Sequence, residues 1–155
     1  MNSLKVYVDT SVFGGCFDGE FEVESKRFFD LVRAGHVVVM VSPVVLEELR
    51  EAPPCVQDVF QSLSEDSVIP VDLSADIIEL RDAYIAAGIV SPRFVDDATH
   101  VAAATAARAD AIVSWNFKHI VRVDKMRAYN RVNLQMGFGL LSIVSPQEVR
   151  FDEED

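Results

Sequence analysis

Residues 96–116 read DDATHVAAATAARADAIVSWN, and the parsing of this stretch decides the fold. Two adjacent carboxylates, Asp96 and Asp97, open an alanine-rich run whose small side chains favour helix and permit close packing. The run AIVSW (111–115) then has the length and apolar character of a buried strand and ends in polar residues. A helix feeding a strand through a short connection is the repeating unit of a parallel sheet covered by helices. Neither acid has an obvious basic partner nearby in the chain, so their neighbours must come from other elements.

The same alternation continues outward in both directions. LKVYVD (4–9) reads as a strand closed by Asp9, and FEVESKRFFDLVRAG (21–35) as a helix with Gly35 as C-cap. HVVVMVS (36–42) is continuously apolar, as expected of a strand buried on both faces. Ser42 and Pro43 start a helix carrying VVLEELRE, which Pro53 and Pro54 stop. VQDVFQSLSE (56–65) is a short amphipathic helix, and SVIPVD (67–72) a minor strand, because Pro70 would interrupt a central ladder. SADIIELRDAYIAAG (74–88) is a helix between Ser74 and Gly88, and SPRFVDDATHVAAATAARA (91–109) is a second helical region. Residues 117–137 are mixed and mostly helical, and 139–149 hold a last strand with a helical turn. The expected architecture is α/β, with a central parallel sheet between helical layers, in one domain over 1–150 followed by an acidic tail, 151–155. In such folds ligands sit outside the carboxyl ends of the strands. Asp9 and Asn116 are the residues that reach that edge.

Composition narrows the function classes. With 155 residues and 50% hydrophobic content the chain can bury an ordinary core. No apolar run reaches the ~18 residues of a membrane span. The N-terminus lacks a signal-peptide pattern, so a cytoplasmic protein is expected. Cys16 and Cys55 have no metal spacing and fit a reducing compartment. The net charge is −11, of which DEED (152–155) supplies −4 and leaves −7. That sign excludes a broad basic face for polyanions, unless some acids are neutralised by metal. FGGCFDG (13–19) has neither the spacing nor the lysine of a phosphate-cradling loop, and no HExxH, GxSxG or CxxC pattern occurs.

What remains is acids at element ends: Asp9, Glu47 and Glu48, Asp96 and Asp97, with Asn116 after a later strand. Clustered carboxylates repel, so one is forced neutral unless a cation sits between them. Their hard oxygens suit Mg²⁺ or Mn²⁺, and such a site can position water for phosphodiester displacement. Each residue also has a plain structural reading. Asp9-Thr10-Ser11 can be a capped turn, and Asp96 or Asp97 a helix cap or dipole partner. Glu47 and Glu48 stand about 100° apart on a helix, so only one faces any site, and Glu48 is the choice. His100 lies on the Asp97 side of its helix and either packs or orients a carboxylate. Lys118 and His119 can supply positive charge near a substrate phosphate or simply be solvated.

VYVDTSVFGG, SPVVLEELRE, DDATHVAAATAARADAIVSWNFKHIV and NRVNLQMGFGLLSIVSPQEV, taken in order, resemble PIN-domain proteins, in particular the VapC-like branch. The resemblance runs from 5 to 149. It implies a Rossmann-like α/β/α domain that cleaves RNA with Mg²⁺ or Mn²⁺. It also implies that Asp9, Glu48 and Asp97 are the family's acids and that Ser11 braces the first. Asn116 stands where many members carry a fourth Asp, and its amide oxygen would hold a metal-bound water without adding charge. Asp96 is then a cap or outer helper. RNA would be met by local cations among Arg93, Lys118, His119, Lys125, Arg127 and Arg131. The resemblance further implies the toxin of a toxin–antitoxin pair, restrained by a cognate antitoxin. A homodimer is also expected, with 77–89 as a candidate interface. The competing class is a catalytically weak or inactive PIN-fold binding module, which the uncharged Asn116 favours and the retained acids oppose. A phosphatase or phospho-receiver using Asp9 lacks the second acid that pattern needs, because Ser11 occupies its place.

Overall fold

Residues 3–152 are described in the computed structural model of the chain. Five strands form one sheet: β1 (Leu4–Val8), β2 (Val37–Val41), β3 (Val68–Pro70), β4 (Ala111–Val113) and β5 (Ser142–Val144), in the order β3-β2-β1-β4-β5. Every pairing is parallel, with Tyr7 of β1 opposite Met40 on one side and Ile112 on the other. The helices are α1 (Thr10–Gly15), α2 (Glu22–Arg33), α3 (Pro43–Arg50), α4 (Pro54–Gln61), α5 (Ala75–Ala86), α6 (Val95–Ala106) and α7 (Val123–Gln135). Val6, Tyr7 and Val8 are all fully buried. Successive strand residues face opposite sides, so both faces of the sheet are covered, as the unbroken apolar strands require.

The alanine run explains how α6 fits. Residues 98–105 of this helix are buried all round, between the sheet and α5. Larger side chains on every face would hold those layers apart. Ile77, Leu80 and Tyr84 of α5 are buried within the chain, so much of the apolar surface expected of an interface at 77–89 is used internally. Pro70 lies in the edge strand, where a missing N–H costs no central ladder bond.

Several boundaries differ from the sequence expectation. Residues 10–15 form a helix that their glycines obscure. Pro54 opens α4 at its first turn, so the proline pair both stops one helix and starts the next. In the 117–137 segment the helix begins only at Val123, after an irregular turn. Of the acidic tail, Phe151 and Asp152 are exposed without regular structure, and residues 153–155 lie outside the described residues. Among the described residues no helix is long and apolar enough to cross a membrane.

One packing contact fixes the segment that follows β4. Trp115 is buried, its Nε1–H donates to the buried Ser25 Oγ at 2.8 Å, and its ring stacks on Phe21 with centroids 4.2 Å apart. Gly15 makes room for this contact. A Cβ there would press on Ser25 Oγ and lie 2.8 Å from Trp115 Nε1, whereas Gly14 has nothing within 4 Å. Gly15→Ala is expected to cost about 1–3 kcal/mol through overpacking. Gly14→Ala is expected to be neutral or slightly stabilising. Urea unfolding of the two variants checks this.

Candidate active site

The strand order reverses direction beside β1: the chain goes from β1 to β2 and β3 on one side, then returns to β4 and β5 on the other. Asp9 and the 114–116 segment leave adjacent strands at this switch point, where α/β folds open a crevice.

Asp9 is the most constrained residue there. It is 4% exposed and caps α1, accepting from the Ser11 backbone N–H at 3.1 Å. Its Oδ1 also accepts from Ser11 Oγ at 2.5 Å, and its Oδ2 accepts from Ser114 Oγ at 2.6 Å. Each hydroxyl is itself held by the β4 exit: Trp115 N–H donates to Ser11 Oγ at 3.0 Å, and Asn116 N–H to Ser114 Oγ at 2.9 Å. Ser11 therefore braces the first acid. Ser114 does the same from the other side, and sequence reasoning misses it because it lies inside a run that reads only as strand. The capped-turn reading and the site reading of Asp9 describe the same geometry.

Burial pushes the Asp9 carboxyl above the usual carboxylate range, against the opposing pull of His100 and the two serines. Asp97 is half-buried and is also pushed up. Burial is the main cause, the charge of Asp9 adds to it, and His100, His119 and the Asn116 side chain oppose it. Glu48 tilts the other way. Its partial burial would raise it, but the bond and charge of His100 and a bond from Thr10 hold it below the ordinary value. His100 Nε2 lies 2.9 Å from Glu48 Oε1, and Thr10 Oγ1 donates to the same oxygen at 3.0 Å. His100, 2% exposed, has its own pKa lowered by burial and raised more strongly by Glu48, Asp9 and Asp97, for a net rise.

Asp9, Glu48, Asp97 and His100 thus form one electrostatic cluster. Glu47 and Asp96 are exposed and turned away, as the helical offset demands. Asp96 does not cap α6, because the helix starts one residue earlier and Phe94 holds the N-cap position. Asn116 Oδ1 accepts from the His119 N–H at 2.9 Å, which anchors the loop and leaves that oxygen one further lone pair. His119 lies against Phe94, ring centroids 4.0 Å apart, and its buried Nε2 has no hydrogen-bond partner. Burial lowers its pKa, with Lys118, Lys125 and Arg122 adding to the fall and Asp97 opposing it. Lys118 and Arg93 both stand over the Phe94 ring, at 6.0 and 5.6 Å. Arg127 is grouped with Arg131 on α7 beside Leu134 and Leu140.

The donor set suits a hard cation in a specific way. Among the described residues, no three His, Cys, Asp or Glu side chains stand close enough to enclose an ion together. Two raised carboxylates at a water-accessible edge fit Mg²⁺ or Mn²⁺, since Mg²⁺ is commonly bound by one or two carboxylates and keeps several waters.

A PIN-domain family model matches residues 5–118, and the chain belongs to the PIN-domain family. Among solved structures, the VapBC2 crystal structure from Rickettsia felis, bound to a DNA fragment from their promoter, is similar. The TM-score is 0.57 at 16% identity, with 92% of this chain and 98% of that chain covered. At that identity the likeness shows the fold. A comparison with curated proteins finds no match.

The raised carboxyls give a stability prediction. Asp9 and Asp97 hold protons in the native state at pH values where the unfolded chain has lost them. Stability without divalent ions therefore falls as pH rises from the ordinary carboxylate range through their raised values. Asp97→Asn should flatten that fall and raise the Tm at pH 7 by about 2–4 °C, on the scale of 1 kcal/mol for a chain of this size. Thermal melts in EDTA across pH 4–8 test it, and a lower Tm for the variant contradicts it.

Proposed function

We propose that this chain is a metal-dependent endoribonuclease of the VapC-like branch of the PIN family, acting as the toxin of a toxin–antitoxin pair. The observation that carries the reading is the convergence of Asp9, Asp97 and Glu48 at the switch point, with Asp9 buried and braced by two serine hydroxyls. Acids raised by burial, with Asp97 raised further by the charge of Asp9, are unfavourable in an empty fold and become favourable around a cation.

Asp9 and Asp97 would hold the ion, which when bound supplies Lewis acidity and a water of lowered pKa. Asp9 brings a carboxylate whose orientation is fixed before binding. Its Oδ1 already takes two donors, so Oδ2 is the oxygen with free capacity. Glu48 is kept ionised, and with Oε1 engaged by His100 and Thr10 its Oε2 is the atom left to complete the ion's shell or to act on the attacking water. Asn116 anchors the loop after β4 by accepting from the His119 N–H, and its side chain favours the ionised form of Asp97. Lys118 and Arg93, both over the Phe94 ring, would meet the phosphates of an RNA substrate. An antitoxin would cover the same acidic edge with a cation of its own, and assembly as a homodimer is part of this reading. A cytoplasmic location goes with it.

Asn116 supports a second reading, a weakly active or inactive binding module, because it adds no charge and its carbonyl is already engaged. Cleavage separates the two. Incubation of a structured RNA pool with Mg²⁺, Mn²⁺ or EDTA should show cutting that requires the ion. Asp97→Asn should reduce the rate by at least about 100-fold, since loss of a metal-bound carboxylate removes several kcal/mol of transition-state stabilisation. Metal-independent cutting, or equal rates for the two proteins, contradicts the proposal.

The cation contribution is tested by salt dependence. Substituting Lys118 and Arg127 together by Ala should weaken RNA binding and reduce the log–log salt slope by about 1 for each phosphate no longer neutralised. An unchanged slope removes both residues from the substrate path.

A further inference from the structure

A chain of buried polar groups leads from the sheet interior to Glu48 and is not explained by packing alone. The Ser42 Oγ and Tyr7 Oη lie 2.7 Å apart, Tyr7 Oη and His100 Nδ1 2.8 Å, and His100 Nε2 and Glu48 Oε1 2.9 Å. Ser42 and Tyr7 are fully buried and His100 almost so. Ser42 occupies the N-cap position of α3, yet its hydroxyl makes no capping bond and is spent on Tyr7.

Bond directions follow from chemistry. An ionised carboxylate only accepts, so Nε2 carries the proton toward Glu48 whether the imidazole is neutral or charged. The Tyr7 hydroxyl can donate to a bare Nδ1 or accept from a protonated one, with Ser42 adjusting at its far side. Burial raises the phenol far above its ordinary value, so it keeps its hydrogen throughout. A ring flip would put Cδ2 at Tyr7 and Cε1 at Glu48, breaking both bonds. The Tyr7 and Ser42 anchors therefore select one ring orientation.

We propose that Ser42, Tyr7 and His100 form a positioning relay that fixes Glu48 by its Oε1 and leaves Oε2 as the oxygen offered to the site. The proposal rests on the nuclease reading for its purpose, but its geometry is testable apart from it. Thr10 assists from the solvent side by bonding the same oxygen. Without these donors a glutamate side chain keeps several rotamers, and ordering it on binding carries an entropic cost. His100 and Tyr7 act through Glu48 and are positioning residues.

The test pairs two substitutions that differ in reach. Gln places an amide nitrogen near where His Nε2 sits, and Asn places one near Nδ1. The proposal predicts that His100→Gln retains Mn²⁺ affinity within a few-fold, whereas His100→Asn loses about 10–100-fold, the usual effect of removing an outer-shell partner. Tyr7→Phe should fall between them. Mn²⁺ binding is read by titration, and imidazole nitrogen NMR of the ion-free protein reads the relay directly. The wild type should show a slowly exchanging Nε2–H that is lost in Glu48→Ala. Equal loss in Gln and Asn variants would reduce His100 to a packing residue and overturn the proposal, as would an Nε2–H that exchanges freely in the wild type. If the slow Nε2–H is present and the wild type binds no Mn²⁺, the relay stands and the nuclease reading fails.

Discussion

A carboxylate with almost no solvent, held between two serine hydroxyls, is the constraint on which this fold is organised. Asp9 bonds to Ser11 on its own helix turn and to Ser114 at the exit of the neighbouring strand. Both hydroxyls are in turn fixed by backbone N–H groups of residues 115 and 116. One side chain thus ties the ends of β1 and β4 together at the place where the sheet changes direction. Burying a charge in this way is unfavourable unless hydrogen bonds or a counter-charge answer it. The serines and His100 answer part of that demand, and burial still leaves the Asp9 carboxyl above its ordinary range.

The rest of the molecule can be read as support for that arrangement. Trp115, pinned by Ser25 and admitted by Gly15, holds the segment that presents Ser114 and Asn116. The small residues of α6 let that helix sink against the sheet, which brings Asp97 and His100 within electrostatic reach of Asp9. His100 then connects the cluster to Glu48 on α3. Residues from α1, α3, α6 and the β4 exit meet because the parallel topology places the starts of these helices on one edge.

Much of this is legible in the sequence. Period and punctuation are local properties, so the strands before Asp9 and before the 114–116 segment, the buried character of β2 and the edge position of Pro70 can be read from neighbours in the chain. The helical offset lets only one of Glu47 and Glu48 face the site, the resemblance singles out Asp97 over Asp96, and Glu47 and Asp96 are the more exposed of each pair. The PIN-domain resemblance rests on an ordered set of short motifs, and the family match covers most of them.

The features that escape depend on contacts between distant segments. Ser114 and Tyr7 look like ordinary strand residues, and only the pairing of β1 with β4 and the packing of α6 give them polar partners. Ser42 reads as a cap because its position is that of a cap, but a tyrosine far off in sequence claims its hydroxyl. The bond by which the Asn116 amide oxygen also accepts from the His119 N–H is likewise set by a local turn that the strand pattern does not announce. The central claim is that Asp9 and Asp97 share one hard cation at the β1–β4 switch point. A crystal of the protein soaked in Mn²⁺ and measured at a wavelength where manganese scatters anomalously tests it most directly. A shared cation predicts an anomalous peak in contact with Asp9 Oδ2 and an Asp97 oxygen, with waters completing its shell. A fully soaked crystal with no peak there, or with peaks only on the exposed acids, would contradict it.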